Sequence, residues 1–183
     1  MGMKRPPASV SSAIKDIGAT LARFEDELLA ILPRLRRFAR SLSRDAADGD
    51  DLCQIAIEKA LNARDQWQPG TRMDSWMYRI ARNAWIDQGR ARTRAAQTFL
   101  PEEAGVAIGD DGARAIEARL ELALVQRAMT ELPDEQREAV ALVLVEGLAY
   151  KEAAAVLDVP MGTLTSRLVR GRQALLARMG EAA

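Results

Sequence analysis

The sequence predicts an all-α protein made of two small helical domains joined by a flexible linker. Three observations predict it. Aromatic residues are only 4% of the chain while Ala, Leu and Arg dominate, which suits small helices packed through alanine and leucine better than a sheet-rich core. Apolar residues recur at steps of three and four through several long runs. Between 97 and 113 that pattern lapses into Pro101-Glu102-Glu103, Gly105 and Gly109-Asp110-Asp111-Gly112, the composition of an acidic, flexible connection. The expected division is a mobile tail over 1–20, a first domain over 21–96, the linker over 97–113 and a second domain over 114–183.

In chain order, Pro6-Pro7 and the Ser and Ala residues after them read as tail, with weak helix from Ala13. From Leu21 the helical pattern is strong, through Phe24, Leu28, Ile31, Leu35, Phe38 and Leu42. Pro33 lies within it and is expected to kink or split the helix, because its ring lacks the N–H and crowds the preceding turn. Arg34, Arg36, Arg37 and Arg40 read for the most part as a plain solvated face. Arg44 to Gly49 is polar and turn-like, and Asp48 to Asp51 place negative charge at the start of a helix running from about Asp50 to Ala63. Gln54 and Glu58 lie four apart on one edge of it. Asp65 to Met73 is a loop marked by Pro69-Gly70, and Asp74 is a candidate N-cap for a helix from Ser75 to about Arg90. Trp76, Ile80 and Ala84 form the apolar side of that helix; Arg79, Arg82, Asn83 and Arg90 share the other side. From Arg79 to Arg94 there are five arginines against Asp87 alone. A basic stripe carrying an amide beside a Trp-containing loop suits single-stranded nucleic acid, with charge for phosphate and small pockets for splayed bases.

After the linker, a helix is expected from about Arg114 to Glu131, with Ile116, Leu120, Leu124 and Ala128 on one face. Pro133 opens the next, Asp134 and Glu135 occupy its first turn, Val140, Val143 and Leu144 carry the core, and Gly147 closes it. Residues 147–179 then read as a short helix, a tight turn and a longer helix. Ala153, Ala154 and Leu157 line the inner side of the short helix, which Asp158-Val159-Pro160 stops. On the long helix, Leu164, Leu168, Gly171, Leu175 and Met179 share one side; Thr163, Ser166 and Arg170 face away, with Arg167 at the flank. Val159 to Met179 contains four arginines and no acid. This is a helix-turn-helix pattern whose free face offers phosphate contacts and a planar fork for guanine.

Composition excludes several classes of function. The chain has no histidine, so histidine acid–base catalysis and histidine metal ligation are excluded. Cys53 is the only cysteine, which leaves no internal disulfide and no multi-cysteine metal site; it reads as a buried small hydrophobe. No apolar run approaches the ~20 residues of a membrane span, and the start does not read as a signal peptide, so a cytoplasmic location without membrane insertion is expected. Formal net charge is zero, so basic charge acts locally rather than over the whole chain.

Two motif sets resemble one family. Leu132-Pro133-Asp134-Glu135-Gln136-Arg137-Glu138, Glu146-Gly147-Leu148, Tyr150, Gly162-Thr163-Leu164 and Ser166-Arg167 resemble domain four of extracytoplasmic-function sigma factors. Ala149 stands where that family often has a capping Ser. Asp51-Leu52-Cys53-Gln54, Pro69-Gly70-Thr71 and Trp76 to Asn83, with Asp87 and Arg90, look like sigma domain two. The resemblance spans about residues 21–179, and the pattern is also similar to the general-stress group of that family. It implies a sigma factor, no enzyme and no cofactor, that directs RNA polymerase to promoters of a stress or envelope response under control of an anti-sigma factor.

By the same resemblance, Asp51, Gln54, Ile55 and Glu58 would contact the clamp helices of the polymerase largest subunit, Ile55 standing where the family commonly has an acid. Domain four would meet the beta flap. Trp67, Thr71, Arg72, Met73, Arg79, Arg82, Asn83 and Arg90 would open and hold the minus-ten element; Thr163, Thr165, Ser166, Arg167, Arg170 and Arg172 would read the minus-thirty-five element. Two rivals differ in class. A sigma mimic that sequesters an anti-sigma protein is expected to carry a receiver domain, for which there is no room after Met179. A stand-alone helix-turn-helix repressor would leave residues 21–96 without a role.

Overall fold

The computed structural model describes residues 8–43, 45–96 and 123–181. The linker expected over 97–113, and the helical residues Ile116 and Leu120, lie outside the described residues. Among the described residues the chain is helical, without a strand. Helices α1 (Ala8–Leu42), α2 (Ala46–Asn62) and α3 (Met73–Ala96) pack into one bundle, with a single 3₁₀ turn at Arg64–Gln66 between α2 and α3. The second group contains α4 (described over 123–130), α5 (Asp134–Val140), α6 (Tyr150–Leu157) and α7 (Met161–Glu181).

Helix α1 is longer than its periodicity suggested and reaches back to Ala8, into the stretch read as tail. It also runs unbroken through Pro33. Pro33 is exposed, and Leu29, whose carbonyl loses its usual donor four residues on, is exposed too. That carbonyl is left on the watery side of the helix, where the missing bond costs least. Phe24, Leu28, Ile31, Leu35, Phe38 and Leu42 are all buried, as their spacing required. The arginines between them are not a plain solvated face. Arg36 and Arg40 both grip Asp50 of α2, at 2.7–2.9 Å, and hold its carboxyl well below the usual carboxylate range through these hydrogen bonds.

Helix α2 starts at Ala46, earlier than expected, because Asp45 is the N-cap and accepts the Asp48 N–H at 2.8 Å. Gly49 sits where α2 closes on α1; a Cβ there would lie 2.7 Å from the Arg40 Cα and 2.7 Å from Ser43 Oγ. Cys53 is buried, and burial pushes its thiol up.

Helix α3 begins at Met73, so Asp74 lies in its first turn rather than before it, accepting the Ser75 N–H at 2.7 Å. Its buried side is Met77, Tyr78, Ala81, Ala84 and Trp85, with Trp76 and Ile80 only partly covered. The buried face is thus turned by about one residue from the expected Trp76–Ile80 side.

In the second group, the nearly fully buried Arg137 donates to the Thr130 carbonyl at 3.2 Å and pairs with Asp134, tying α5 to the end of α4. Of the expected α4 face, Ala128 is buried but Leu124 is exposed. After Val140 the chain widens into a π turn over Ala141–Val145, with the Glu146 N–H reaching back to the Ala141 carbonyl at 2.9 Å. The wider turn shifts the phase: Leu142 is buried, Val143 half-buried, and Leu144, expected in the core, is exposed. Gly147, at φ 71°, ends the element in the left-handed conformation expected of a C-terminal cap. Ala149 caps α6 without a side-chain acceptor, and Glu152 supplies the other half by accepting the Ala149 N–H at 3.1 Å. Asp158, left-handed at φ 53°, turns the chain into α7. Gly171 lets α7 lie on α5, since a Cβ would come within 2.8 Å of Val140 Cγ2 and 3.2 Å of the Gln136 carbonyl.

Candidate nucleic-acid interface

Helix α7 buries Leu164, Leu168 and Gly171 against α5 and α6, which turns the opposite side outward. Ser166 and Arg170 stand on that outer side; Thr165 and Arg172 are exposed at one flank, and Thr163 is half-buried at the other. The hydroxyls are parked on the helix itself, Thr165 Oγ1 donating to the Met161 carbonyl and Ser166 Oγ to the Thr163 carbonyl, each at 2.9 Å. Arg170 leans back on the Ser166 carbonyl at 3.2 Å. Such bonds are easily exchanged for a base edge or phosphate. Arg167 differs from the rest of the set. Its side chain is 15% exposed and pairs with Glu135 of α5 at 2.9 Å, so it braces the helix against its neighbour.

The loop before α3 and the first turns of α3 form a shallow cleft of about 330 Å³, lined by residues that include Trp67, Thr71, Arg72, Trp76 and Arg79. Trp67 and Met73 are themselves buried. The Trp67 ring packs edge-on against Phe24, 5.5 Å between centroids, because so large an apolar surface is worth more in the core than beside the loop. Its Nε1 finds no hydrogen-bond partner among the described residues. The loop is therefore built on Trp67 and Met73, while Thr71, Arg72 and Arg79 form its exposed lip. Farther along α3, Asn83 and Arg90 are exposed and Arg82 is half-buried.

The basic side of α3 faces the second group of helices. Arg82 Nε pairs with Glu138 of α5 at 3.0 Å, Arg79 donates to the Ala155 carbonyl of α6 at 3.0 Å, and Arg72 pairs with Glu152 of α6 as well as with Asp74, at 2.6 Å. Burial alone would raise the Asp74 carboxyl, but the hydrogen bonds from Arg72 and the Ser75 N–H, with the charge of Arg34, bring it below the ordinary range. At the centre lies Glu146, whose side chain is fully buried. Arg37 reaches it with two bonds of 2.8 and 3.0 Å, Tyr78 donates its hydroxyl at 2.7 Å, and Arg34 lies 3.4 Å away while donating to the Glu146 carbonyl at 2.9 Å. Burial and the bond to Glu146 push the Tyr78 hydroxyl far up, so it remains a donor. Burial pushes the Glu138 carboxyl up as well, against the pull of Arg82 and Arg167.

Sequence reasoning missed Glu138, Glu146 and Glu152 as partners of α1 and α3. Glu138 and Glu146 stood inside the motif runs, but only the fold shows that they are buried and what they face. On α2 the expected polymerase edge is open: Asp51, Gln54 and Glu58 are exposed and Ile55 is half-buried.

Two family models match this layout, Sigma-70 region 2 over residues 29–95 and Sigma-70 region 4 over residues 122–175. The ECF RNA polymerase sigma factor EcfG of Rhodopseudomonas palustris (strain TIE-1) is 37% identical over 152 residues, covering 83% of this chain and 82% of the relative. The chain belongs to the ECF sigma factors of RNA polymerase. Among solved structures, this sigma factor is similar to the sigma factor RpoE of Bartonella quintana, determined in complex with the anti-sigma factor NepR. The TM-score is 0.75 at 32% identity, covering 86% of this chain and 97% of that one. It is also similar to CnrH, determined in complex with the cytosolic domain of CnrY, with a TM-score of 0.64 at 27% identity over 87% of this chain and 89% of the other. Sigma factors are DNA-binding initiation factors and not enzymes in themselves. No helix among the described residues of this sigma factor is long and apolar enough to cross a membrane.

Proposed function

We propose that this sigma factor binds core RNA polymerase through the exposed edge of α2, locates the minus-thirty-five element with α7, and opens and holds the minus-ten element with α3 and the loop before it. The observation that carries the reading is the pairing, in one chain and in this order, of an open α2 edge, an α3 face bearing Arg79, Asn83 and Arg90, and a helix-turn-helix with Ser166 and Arg170 outward. Region 4 would seat on the beta flap. Control by an anti-sigma factor is the corresponding reading of regulation, supported by the likeness to RpoE, solved with the anti-sigma factor NepR. The setting would be the cytoplasm and the output a stress or envelope response regulon. A stand-alone repressor would have no use for the α2 edge, and a mimic would have no use for the outward Ser166 and Arg170.

Two expected results test the division of labour. Arg170→Ala should weaken recognition of the upstream element by ~1–3 kcal/mol, measured as holoenzyme binding to labelled promoter duplexes. A base contact would change preference at one position, and a phosphate contact would lower affinity evenly. Asn83→Ala combined with Thr71→Ala should leave duplex binding by α7 intact while blocking formation of the open complex. Extruding a base costs a few kcal/mol, which only a site that holds it can offset. Permanganate footprinting on duplex and pre-melted promoters, with the variant bound to core polymerase, separates the two steps. Normal opening of duplex promoters by this variant would remove α3 and its loop from the role.

A further inference from the structure

On the outward side of α7, between side chains suited to phosphates and polar base edges, stands one that suits neither. Val169 is 49% exposed and takes no part in the core that Leu164 and Leu168 join. It lies three residues on from Ser166 and directly before Arg170. We infer that Val169 is a specificity-determining residue, packing against the 5-methyl group of a thymine in the upstream element beside the group that Arg170 takes. The inference rests on the reading of α7 as the helix that enters the major groove.

A lone exposed valine is ordinary on a protein surface, so its place carries the argument. Helix geometry puts Ser166 in the middle of the outward side, with Arg170 ~40° to one side of it and Val169 ~60° to the other. Gln173, also exposed, follows on the next turn. Val169 and Arg170 therefore differ by ~1.5 Å in height and ~100° in direction, and meet different parts of the groove floor. Ser166 Oγ and Arg170 Nε are held on the helix carbonyls of Thr163 and Ser166, which leaves the valine methyls open to the groove. Among the groups by which base pairs are told apart there, the thymine methyl is the apolar one; the others are donors and acceptors. A valine gains at that methyl and loses at a donor or acceptor, from which it strips water without replacing the hydrogen bond. Because valine is β-branched, its χ1 is largely fixed on a helix, so little freedom is lost on contact.

The test uses holoenzyme assembled from core polymerase and the full chain, with a promoter duplex that this holoenzyme recovers from a randomised library. Each thymine of the upstream element, on either strand, is replaced in turn by deoxyuridine, which keeps the pairing and lacks only the methyl. Affinity is read by competition with the unmodified duplex. One replacement should cost the parent about fourfold, the worth of one buried methyl. Val169→Ala should bind the unmodified duplex about fourfold more weakly and lose its response at that thymine alone. Alanine favours helix more than valine does, so fraying of α7 does not mimic this result. Leu176→Ala, at another exposed apolar residue of α7, should keep the parent's response. The proposal is overturned if no deoxyuridine weakens the parent as much as about twofold, half the expected effect on a fold scale. It is equally overturned if Val169→Ala keeps the parent's response at every thymine, or if Leu176→Ala abolishes it. Arg170→Ala on the unmodified duplex separates these failures from failure of the reading beneath. If it weakens upstream recognition while the deoxyuridine series is flat, the methyl contact alone is wrong. If neither Arg170→Ala nor Val169→Ala changes binding, α7 is not the reading helix and both fall together.

Discussion

Phe38→Ala should lower the free energy of unfolding by ~3–5 kcal/mol, read from the midpoint and slope of urea denaturation. Phe38 is completely buried on α1, and its ring lies 4.8 Å from that of Tyr78 on α3. The loss is therefore more than that of the transferred ring surface. Tyr78 is also the hydroxyl donor to Glu146, so a cavity beneath it frees the phenol to tilt and slackens the contact with region 4. Phe38→Leu should restore most of the stability, because it refills the volume without needing the stacking geometry. A shift of less than about 1 kcal/mol in Phe38→Ala would mean that α1 and α3 close over the gap, contrary to the packing described.

Gly49→Val should be the most damaging single change in the first bundle relative to its size. Its Cβ would meet the Arg40 backbone and the Ser43 hydroxyl, both at 2.7 Å, and a helix backbone atom cannot rotate away as a side chain can. Overpacking of this kind costs roughly 1–3 kcal/mol when side chains can yield, and here the larger figure applies. The start of α2 would be levered off α1, breaking the Asp50 grip on Arg36 and Arg40. The α2 edge carrying Asp51, Gln54 and Glu58 moves with it. Two measurements should fall together: the thermal midpoint and the affinity for core polymerase by titration. Stability reduced with polymerase affinity intact would place the polymerase contact somewhere other than α2.

Much of this architecture could be read from residues alone. The α1 core from Phe24 to Leu42 followed from spacing, since an amphipathic helix has only one way to hide six apolar side chains. The α6–α7 turn followed from alanines, an Asp-Val-Pro stop and an outward Ser and Arg. Errors arose where local rules met a partner or a change of phase. Pro33 was expected to break α1, but its exposure makes the lost bond cheap. Leu144 was placed in the core by a 3.6-residue count, and a π turn moved it out. Arg34 and Arg37 looked like solvated charge because their partner, Glu146, is more than a hundred residues away in sequence. Trp67 was assigned to the nucleic-acid loop by its neighbours, while burial decided its place. Of the candidate sites, the outward side of α7 was legible, whereas the engagement of α3 depends on tertiary packing that no helical wheel contains.

The way Glu146 is held also bears on modularity. Its neighbours come from two helices of the other region, Arg34 and Arg37 from α1 and Tyr78 from α3. A hybrid that joins α1–α3 of this chain to the promoter-reading half of a paralogue would inherit both nucleic-acid surfaces whole. It would still set three donors against whatever residue the donor chain carries at the Glu146 position. An apolar residue there would leave the buried phenol and two guanidiniums without their shared carboxylate, and the halves would be held less firmly; a carboxylate would restore the fit. Recombination between such proteins is thus constrained at a buried carboxylate between the two regions, and the regions are inherited most safely as a pair.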